Sequence, residues 1–336
     1  MRSLKYVILL LLILIIGGSI YIATLENNFD IKQTKTIEAP AEVIFNSINE
    51  YKTWKEWGPW YETDSTIVVS YPEITSGVGA TYMWTGIEGV GSMKTISLVS
   101  NEELIQQIDF GTGSTPEIYW KLNTVDSGTE VTWGMRGKHS FKEKIYWLYK
   151  GGMEQDMDPM FKKGLELLEV HILKEMDKHS FEFKGVVDYG GGFYLYQTTA
   201  CKIDLVNQKL NVMIDSITKF MADNTLEPSG KPFMLSHEWD EVNNTTMFSA
   251  CIPVNERIIT TGEVLTGFLE PQKTFKTVFK GNYKFSYEAW AAANKALTEQ
   301  GYTEVDSGEP FEVYKIRPID TPNPANWVTD IYIPIN

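Results

Sequence analysis

The sequence has few of the residues that build metal sites or disulfide frameworks. It contains two cysteines, Cys201 and Cys251, and four histidines in 336 residues. No histidine has the spacing of a zinc-binding pair, because His237-Glu238 is not followed by the second histidine of that motif. We therefore predict no metal and no cofactor. The cysteines either form one disulfide in an oxidising compartment or are two small buried residues.

Signatures of phosphate binding and of nucleophilic catalysis are also missing from the sequence. The glycine runs at 89–91 and 190–192 are not followed by the helix, lysine and hydroxyl residue that a phosphate loop needs. No Gly-x-Ser-x-Gly elbow occurs, and neither cysteine is flanked by an obvious base. The sequence predicts no catalytic residue, so a binding protein is favoured over an enzyme.

The charge balance argues against a nucleic-acid partner. The formal net charge is −14, which repels a polyanion, and no stripe of Lys and Arg could neutralise a run of phosphates. No helix-turn-helix segment precedes either predicted domain. Whether the chain has a protein partner is left open by the sequence.

An uncharged stretch near the N-terminus predicts a membrane anchor. Residues 6–25 carry no charge, and a helix needs about 20 such residues to cross the hydrocarbon core. Arg2 and Lys5 precede the stretch, and this bias places residues 1–5 in the cytoplasm. We predict a single-pass protein of the inner membrane with its later domains extracytoplasmic. A cleaved signal peptide is the alternative, although the small-residue cleavage pattern is poor because a tyrosine interrupts it.

The remaining length suits two domains, because single cores stop growing near about 250 residues. The first is predicted over 31–178. A strand and a helix beginning at Ala39-Pro40 come first, and short strands separated by turn residues follow from Thr66 to Met135. Residues 157–176 then show the apolar stripe of an amphipathic helix. The predicted fold is α+β, with a curved antiparallel sheet against a long C-terminal helix.

Tryptophans are concentrated in this first domain. Three of them lie on strands at alternating positions, so that each faces the side of the sheet that the long helix covers. They either line a ligand pocket or simply form the core. The candidate ligand-binding residues here are Trp57, Trp60, Trp84, Trp120 and Trp133.

Four segments of this domain form a recognisable set: 37–45 (IEAPAEVIF), 54–60 (WKEWGPW), 128–133 (GTEVTW) and 161–165 (FKKGL). They resemble the START-like helix-grip superfamily, which includes polyketide-cyclase-like (SRPBCC) proteins. The resemblance covers about residues 31–176. It implies a cup that holds a hydrophobic molecule between sheet and helix, and in some members cyclisation or hydrolysis.

The second domain, predicted over 183–336, contains an internal repeat. Residues 229–233 (SGKPF) and 307–311 (SGEPF) differ at one position, and each copy follows an amphipathic helix and precedes a β-rich run. The order predicts two β-α-β-β units around a pseudo-twofold axis, with a ligand cleft between them. Phe233 is followed by Met234, whereas Phe311 is followed by Glu312, so only one copy carries a carboxylate there. Strand alternation alone allows Glu312 to face either the cleft or solvent.

Three segments of this domain carry a second resemblance: 279–283 (FKGNY), 310–314 (PFEVY) and 329–335 (TDIYIPI). They resemble the gyrase-inhibitor-like (GyrI-like) effector-binding domain, which is also found at the C-terminus of AraC-type regulators and multidrug-sensing activators. The resemblance implies that Glu312 lies in an aromatic cleft and helps to bind lipophilic cations. The sequence departs from the family at Arg317-Pro318, where Asp-Pro is common, so a nearby charge is inverted. The candidate ligand-binding residues are Glu312, Tyr283, Trp290, Tyr314 and Trp327.

Together these patterns favour a membrane-anchored protein that sequesters or senses a small hydrophobic or cationic ligand. The alternative is a hydrolase- or cyclase-like enzyme with Glu312 as general acid or base. The two separate by whether a second polar group converges on Glu312.

Overall fold

The computed structural model describes residues 2–87, 89–111, 113–260, 262–305 and 308–336. The chain divides into two compact units, with the division between Lys174 and Glu175. Each unit contains one antiparallel sheet.

The first unit begins with helix α1 (Arg2–Thr24) and contains a seven-stranded sheet. The strands are β1 (Asn28–Ile37), β2 (Val68–Ser70), β3 (Thr81–Gly86), β4 (Gly89–Val99), β5 (Glu103–Asp109), β6 (Glu117–Val125) and β7 (Gly128–Lys138). Their order in the sheet is β1-β7-β6-β5-β4-β3-β2, so five successive hairpins form a meander and β1 closes against the last strand.

The helices after α1 are α2 (Ala41–Asn49), α3 (Trp60–Thr63), α4 (Phe141–Lys150) and α5 (Met153–Met176). Helix α5 is the helix expected over 157–176, and it starts four residues earlier. Its apolar stripe is buried: Phe161 and Leu168 are fully covered, and the Phe161 ring lies 4.8 Å from that of Trp133 on β7. Gly164 allows this approach, because a Cβ there would lie 2.3 Å from the Trp133 ring.

The second unit contains an eight-stranded sheet and two long helices. The strands are β8 (Ser180–Tyr189), β9 (Gly192–Lys202), β10 (Phe233–Asp240), β11 (Thr245–Val254), β12 (Leu265–Leu269), β13 (Gln272–Lys280), β14 (Phe311–Ile316) and β15 (Val328–Pro334). The helices are α6 (Val206–Asp223) and α7 (Ser286–Glu299). The sheet order is β12-β9-β11-β10-β14-β15-β13-β8.

The internal repeat is visible in this sheet. Strands β9, β11 and β10 come from the first copy, and β14, β15 and β13 follow in the mirrored order. The copies meet where β10 pairs with β14, and there Met234 lies opposite Glu312. Met234 and Glu312, which occupy equivalent positions in the two copies, therefore lie opposite each other at the pseudo-twofold axis. Ser307, the first residue of the second copy, lies outside the described residues.

Helices α6 and α7 pack on one face of this sheet. The stripe of α6, including Ile214 and Ile217, packs on Phe248 and Ile252 of β11, and α7 packs on β13 and β15 through small side chains such as Ala293. The opposite face carries a second apolar cluster. Its buried members are Tyr194, Phe233, Leu235, Cys251, Leu269, Phe311, Val313 and Tyr332.

The two cysteines are free thiols in the structure. Cys201 lies opposite Thr246 and Cys251 lies opposite Tyr196, so the strand register keeps them apart. The disulfide that the sequence allowed as one alternative is therefore not present in this structure. Cys251 is buried, which raises the pKa of its thiol well above its ordinary value.

Candidate functional site

The second unit contains a pocket of about 600 Å³ beside the axis between the two copies. Its walls come from the start of α6, from β10 and β14, and from the face of α7 that carries Trp290. The lining residues are Ile203, Asp204, Val206, Asn207, Met234, Ser236, Trp239, Glu241, Tyr283, Lys284, Ser286, Tyr287, Trp290, Ala291, Asn294, Glu304, Pro310, Glu312 and Tyr314.

Glu312 lies at the base of this pocket on β14. Its neighbours Phe311 and Val313 point to the opposite face of the sheet, so alternation directs Glu312 and Tyr314 toward the helices. Glu312 is only 5% exposed. Of the two orientations that the sequence allowed, the structure has the carboxylate in the cleft.

Two neutral donors hold the carboxylate. The indole Nε1 of Trp290 donates to Oε1 at 2.5 Å, and the Tyr314 hydroxyl donates to Oε2 at 2.8 Å. Among the residues that the structure describes, no Lys, Arg or His forms an ion pair with Glu312. The charge is therefore oriented by hydrogen bonds but not neutralised.

Burial is the main influence on this carboxyl group. It raises the pKa of Glu312 above its ordinary value, and the hydrogen bonds from Trp290 and Tyr314 oppose part of that rise. Burial and the nearby Glu312 charge also raise the pKa of Tyr314 well above its ordinary value. Tyr314 therefore stays protonated near neutral pH and acts as a hydrogen-bond donor rather than as a base.

The predicted aromatic residues fall into two layers. Tyr283, Trp290 and Tyr314 line the pocket, and the rings of Tyr283 and Tyr314 are 5.7 Å apart. Trp327 is not among the lining residues. Its ring lies 4.8 Å from that of Tyr283, and its indole Nε1 donates to the carbonyl of Thr321. Trp327 therefore packs on Tyr283 outside the pocket lining, and its one polar atom is hydrogen-bonded within the chain.

Three further carboxylates line the pocket, and sequence reasoning did not find them. They are Asp204, Glu241 and Glu304. The one basic side chain of the lining, Lys284, forms an ion pair with Asp177 at 2.6 Å. The lining thus carries an excess of negative charge, which favours a cationic ligand. Glu241 and Glu304 lie outside the repeat and family motifs, so no motif marked them.

The tryptophans of the first unit form a packed cluster. Trp57, Trp120 and Trp133 are at most 2% exposed, and the rings of Trp120 and Trp133 stack at 4.5 Å. Trp60 packs on the edge of this cluster, 6.4 Å from Trp133. Trp84 instead packs against Tyr82 and Phe110 and is partly exposed. Trp57, Trp120 and Trp133 have the burial of a core, whereas Trp60 and Trp84 are partly exposed. Ligand contact by the five stays a prediction.

A Ser-His-Glu arrangement lies elsewhere in the second unit. His237 contacts Ser249 Oγ through Nε2 at 2.7 Å and Glu309 through Nδ1 at 3.0 Å. This spacing matches a nucleophile, a base and an orienting carboxylate. Ser249, however, is 1% exposed and its hydroxyl is also hydrogen-bonded to Thr198. The arrangement ties β9, β10 and β11 together and does not present a nucleophile to a substrate.

Comparison with known proteins finds a family model that matches most of the second unit. The model, described as Cass2, integron-associated effector binding protein, matches residues 200–335, which is less than half of the chain. The second unit is therefore similar to that effector-binding family. No curated protein matches the chain.

The solved structures that the comparison finds have low sequence identity and low TM-scores to the chain. The EcmrR C-terminal domain is 15% identical, with a TM-score of 0.39 over 47% of this chain and 98% of that domain. An EcmrR–DNA complex is 17% identical, with a TM-score of 0.41 over 58% and 70%. Protein CV1439 from Chromobacterium violaceum is 13% identical, with a TM-score of 0.34 over 43% and 96%. We draw no functional conclusion from likeness at this level.

The buried carboxylate predicts a pH dependence of stability. A carboxyl whose pKa is raised on folding binds more protons in the folded than in the unfolded state, so stability falls as pH rises. The window runs from the ordinary glutamate pKa, about 4.3, up to the raised value. We expect Glu312→Gln to lack this loss and therefore to gain unfolding free energy relative to the wild type as pH rises through the window.

Urea unfolding of both proteins at a series of pH values measures this difference. Glu241→Gln is the matched control, because Glu241 lines the same pocket but is exposed. A difference between wild type and Glu312→Gln that does not change with pH would show that Glu312 is not destabilised by its burial.

Proposed function

We propose that the second unit binds lipophilic cations, with Glu312 as the anionic contact. One observation carries the proposal: a carboxylate 5% exposed at the base of a pocket, held by two neutral donors and without an ion-pair partner in the described chain. A buried charge is costly unless it is paired. A cationic ligand supplies the missing charge, and the free protein bears the cost until it binds.

The rest of the pocket supports the same ligand chemistry. Trp290, Tyr283 and Tyr314 present aromatic faces and edges, and a cation within about 6 Å of such a face is attracted by the ring quadrupole. Asp204 and Glu241 add negative charge at the wall. A volume of about 600 Å³ accommodates a drug-sized molecule. Two polar groups do converge on Glu312, the arrangement that the sequence analysis associated with an enzyme. We do not propose a catalytic role, because both groups are neutral donors, an indole and a tyrosine that stays protonated.

We further propose that the first unit is a START-like cup. The sheet packed against α5 supports this assignment. The indole Nε1 atoms of Trp57 and Trp133 are buried and have no hydrogen-bond acceptor in the described chain. Such donors are costly to leave unpaired. We propose that an acceptor atom of a hydrophobic ligand satisfies them when the tryptophan cluster opens.

We propose that α1 anchors the protein in a membrane as a single span. Residues Leu4–Thr24 form one continuous apolar helix that is long enough to cross a bilayer and has no face covered by protein. A cleaved signal sequence has the same appearance. The positive residues before the span favour an inside N-terminus and extracytoplasmic domains.

The ligand class can be tested with a matched pair of probes. We expect the purified protein to bind a lipophilic cation such as tetraphenylphosphonium and to bind neutral tetraphenylmethane much more weakly, because only the cation compensates Glu312. Quenching of the Trp290 fluorescence reports binding, with Trp290→Phe to identify its contribution. Equal affinity for both probes would contradict the proposal.

Topology can be tested with reporter fusions. Alkaline phosphatase fused after Asn336 is expected to be active, and a reporter that works only in the cytoplasm is expected to be silent. The physical reason is the positive-inside bias of the span. The opposite pair of activities would reverse the orientation. If the mass of the fusion protein showed that α1 had been removed, α1 would be a cleaved signal sequence and not an anchor.

A further inference from the structure

Helix α4 of the first unit exposes an apolar stripe. Phe141, Ile145, Leu148 and Tyr149 are each between 45% and 88% exposed. Their spacing of four, seven and eight residues places them side by side along one face of the helix. The helix itself is well defined at both ends, by a Ser140 capping box and by Gly151 in the left-handed conformation. An exposed apolar stripe on an ordered helix indicates a protein or membrane surface that covers it.

The position of α4 indicates what that partner is. Lys144, in the middle of α4, is buried and donates through Nζ to the carbonyls of Ile22 and Leu25 at the end of α1. These carbonyls belong to the helix terminus, where the helix dipole favours a cation. Helix α4 is thus attached directly to the end of the apolar span.

The backbone around α4 is joined to the same point of the chain. The His139 amide donates to the Asn27 carbonyl at 2.7 Å, and Lys138 lies opposite Asn28 in the β1–β7 pair. Strand β1 begins four residues after α1 ends. When α1 spans a bilayer, the bilayer surface lies close to the end of α1. Helix α4 is hydrogen-bonded to the chain at that same level.

The charge around α4 is opposite to that of the whole protein. The segment 136–150 (RGKHSFKEKIYWLYK) contains five basic residues and one acidic residue, whereas the chain has a net charge of −14. Its aromatic residues include Tyr146, Trp147 and Tyr149. Basic and aromatic side chains beside an apolar stripe are typical of helices that lie in the headgroup region of a bilayer.

We propose that α4 is an interfacial helix that lies on the membrane crossed by α1, with Phe141, Ile145, Leu148 and Tyr149 inserted at the boundary between headgroups and acyl chains. The inference rests on the proposed membrane anchor. Lys142 flanks the stripe beside Tyr149, where it reaches anionic headgroups, and Lys150 lies on the opposite side of the helix. The contact adds a second attachment point. The first unit therefore keeps one orientation relative to the bilayer surface instead of rotating freely about the end of α1.

Site-directed spin labelling tests this on the full-length protein in vesicles of phosphatidylcholine and phosphatidylglycerol. The background variant is Cys201→Ser, since Cys251 is buried and does not label. Labels are placed at Leu148→Cys on the stripe, at Lys150→Cys on the opposite side of α4, and at Leu12→Cys within α1. Leu148 is 51% exposed, so the label does not disturb the core. Collision rates with oxygen and with a water-soluble nickel chelate give the depth of each label.

We expect the label at position 148 to collide more with oxygen than with the chelate, and the label at position 150 to show the reverse. The label at position 12 should be shielded from the chelate. A shielded label at 12 with a water-exposed label at 148 would overturn the inference and leave the anchor standing. Water exposure at both would overturn the anchor and the inference together. Dipolar broadening at 148 without contact with lipid would identify a second copy of the chain as the partner and overturn the proposal.

Discussion

Replacing Glu312 with glutamine is expected to weaken the binding of a lipophilic cation by about 1–3 kcal/mol, roughly 5- to 150-fold in Kd. The substitution keeps the shape of the side chain. Its amide oxygen can accept from Trp290, and the Tyr314 hydroxyl can rotate to accept from its amide nitrogen. The buried negative charge is removed. The affinity for a neutral ligand of the same shape should hardly change, because that ligand does not use the charge.

The binding loss should be accompanied by a gain in stability above the titration window of Glu312. This opposite pair of effects distinguishes a binding role from a structural one, since a structural carboxylate would lower both stability and affinity when removed. Fluorescence titration of wild type, Glu312→Gln and Glu241→Gln with the cation and the neutral analogue measures the first effect. Equal cation affinity of wild type and Glu312→Gln would show that the carboxylate does not contact the ligand.

The second large effect concerns the core of the first unit. We expect Phe161→Ala to lower its free energy of unfolding by about 3–5 kcal/mol, the cost of removing a buried aromatic ring and leaving a cavity. Phe161 is fully buried between α5 and the Trp133 ring. The change of tryptophan fluorescence in urea reports mainly the unfolding of this unit, because seven of the ten tryptophans precede Lys174.

Val170→Ala is the matched control for this variant. Val170 lies on the same helix but is 64% exposed, so its loss should change stability by no more than about 0.5 kcal/mol. If both variants lost the same stability, the sensitivity would belong to helix α5 as an element and not to its packing against the tryptophan cluster.

Much of the second unit follows from its sequence because the repeat constrains it. The β-rich run predicted after each copy is present as β10 and β11 and as β14 and β15. The comparison of Met234 with Glu312 marked the pair that meets on the axis. What the repeat could not determine was the direction of Glu312. That direction depends on which face of the sheet the helices cover, and strand alternation allows both answers.

The residues that escaped prediction lie outside periodic segments or at sheet edges. Asp204 reaches the pocket from a short 3-10 turn before α6, and Glu241 follows the end of β10. Edge strands β8 and β12 have weak alternation and bind only one neighbour each. Trp327 was predicted as a ligand-binding residue near the Arg317-Pro318 loop; in the structure it is outside the pocket lining and its indole donates to the Thr321 carbonyl.

Helix α4 escaped for a different physical reason. Its apolar stripe is exposed in the structure. The sequence pattern alone would instead predict that this stripe packs against the core of the first unit. The contact of Lys144 with the end of α1 is the structural observation on which the proposed membrane environment of this helix chiefly rests.

The most direct measurement of the proposed binding role is the location of a bound cation. Tetraphenylarsonium carries an anomalous scatterer, so its position in crystals of the protein can be found without a model of the ligand. We expect the arsenic peak in the pocket lined by Trp290, Tyr314 and Glu312, with the peak lost or strongly reduced in Glu312→Gln crystals soaked identically. A peak of equal height in both crystals, or a peak only outside this pocket, would contradict the account.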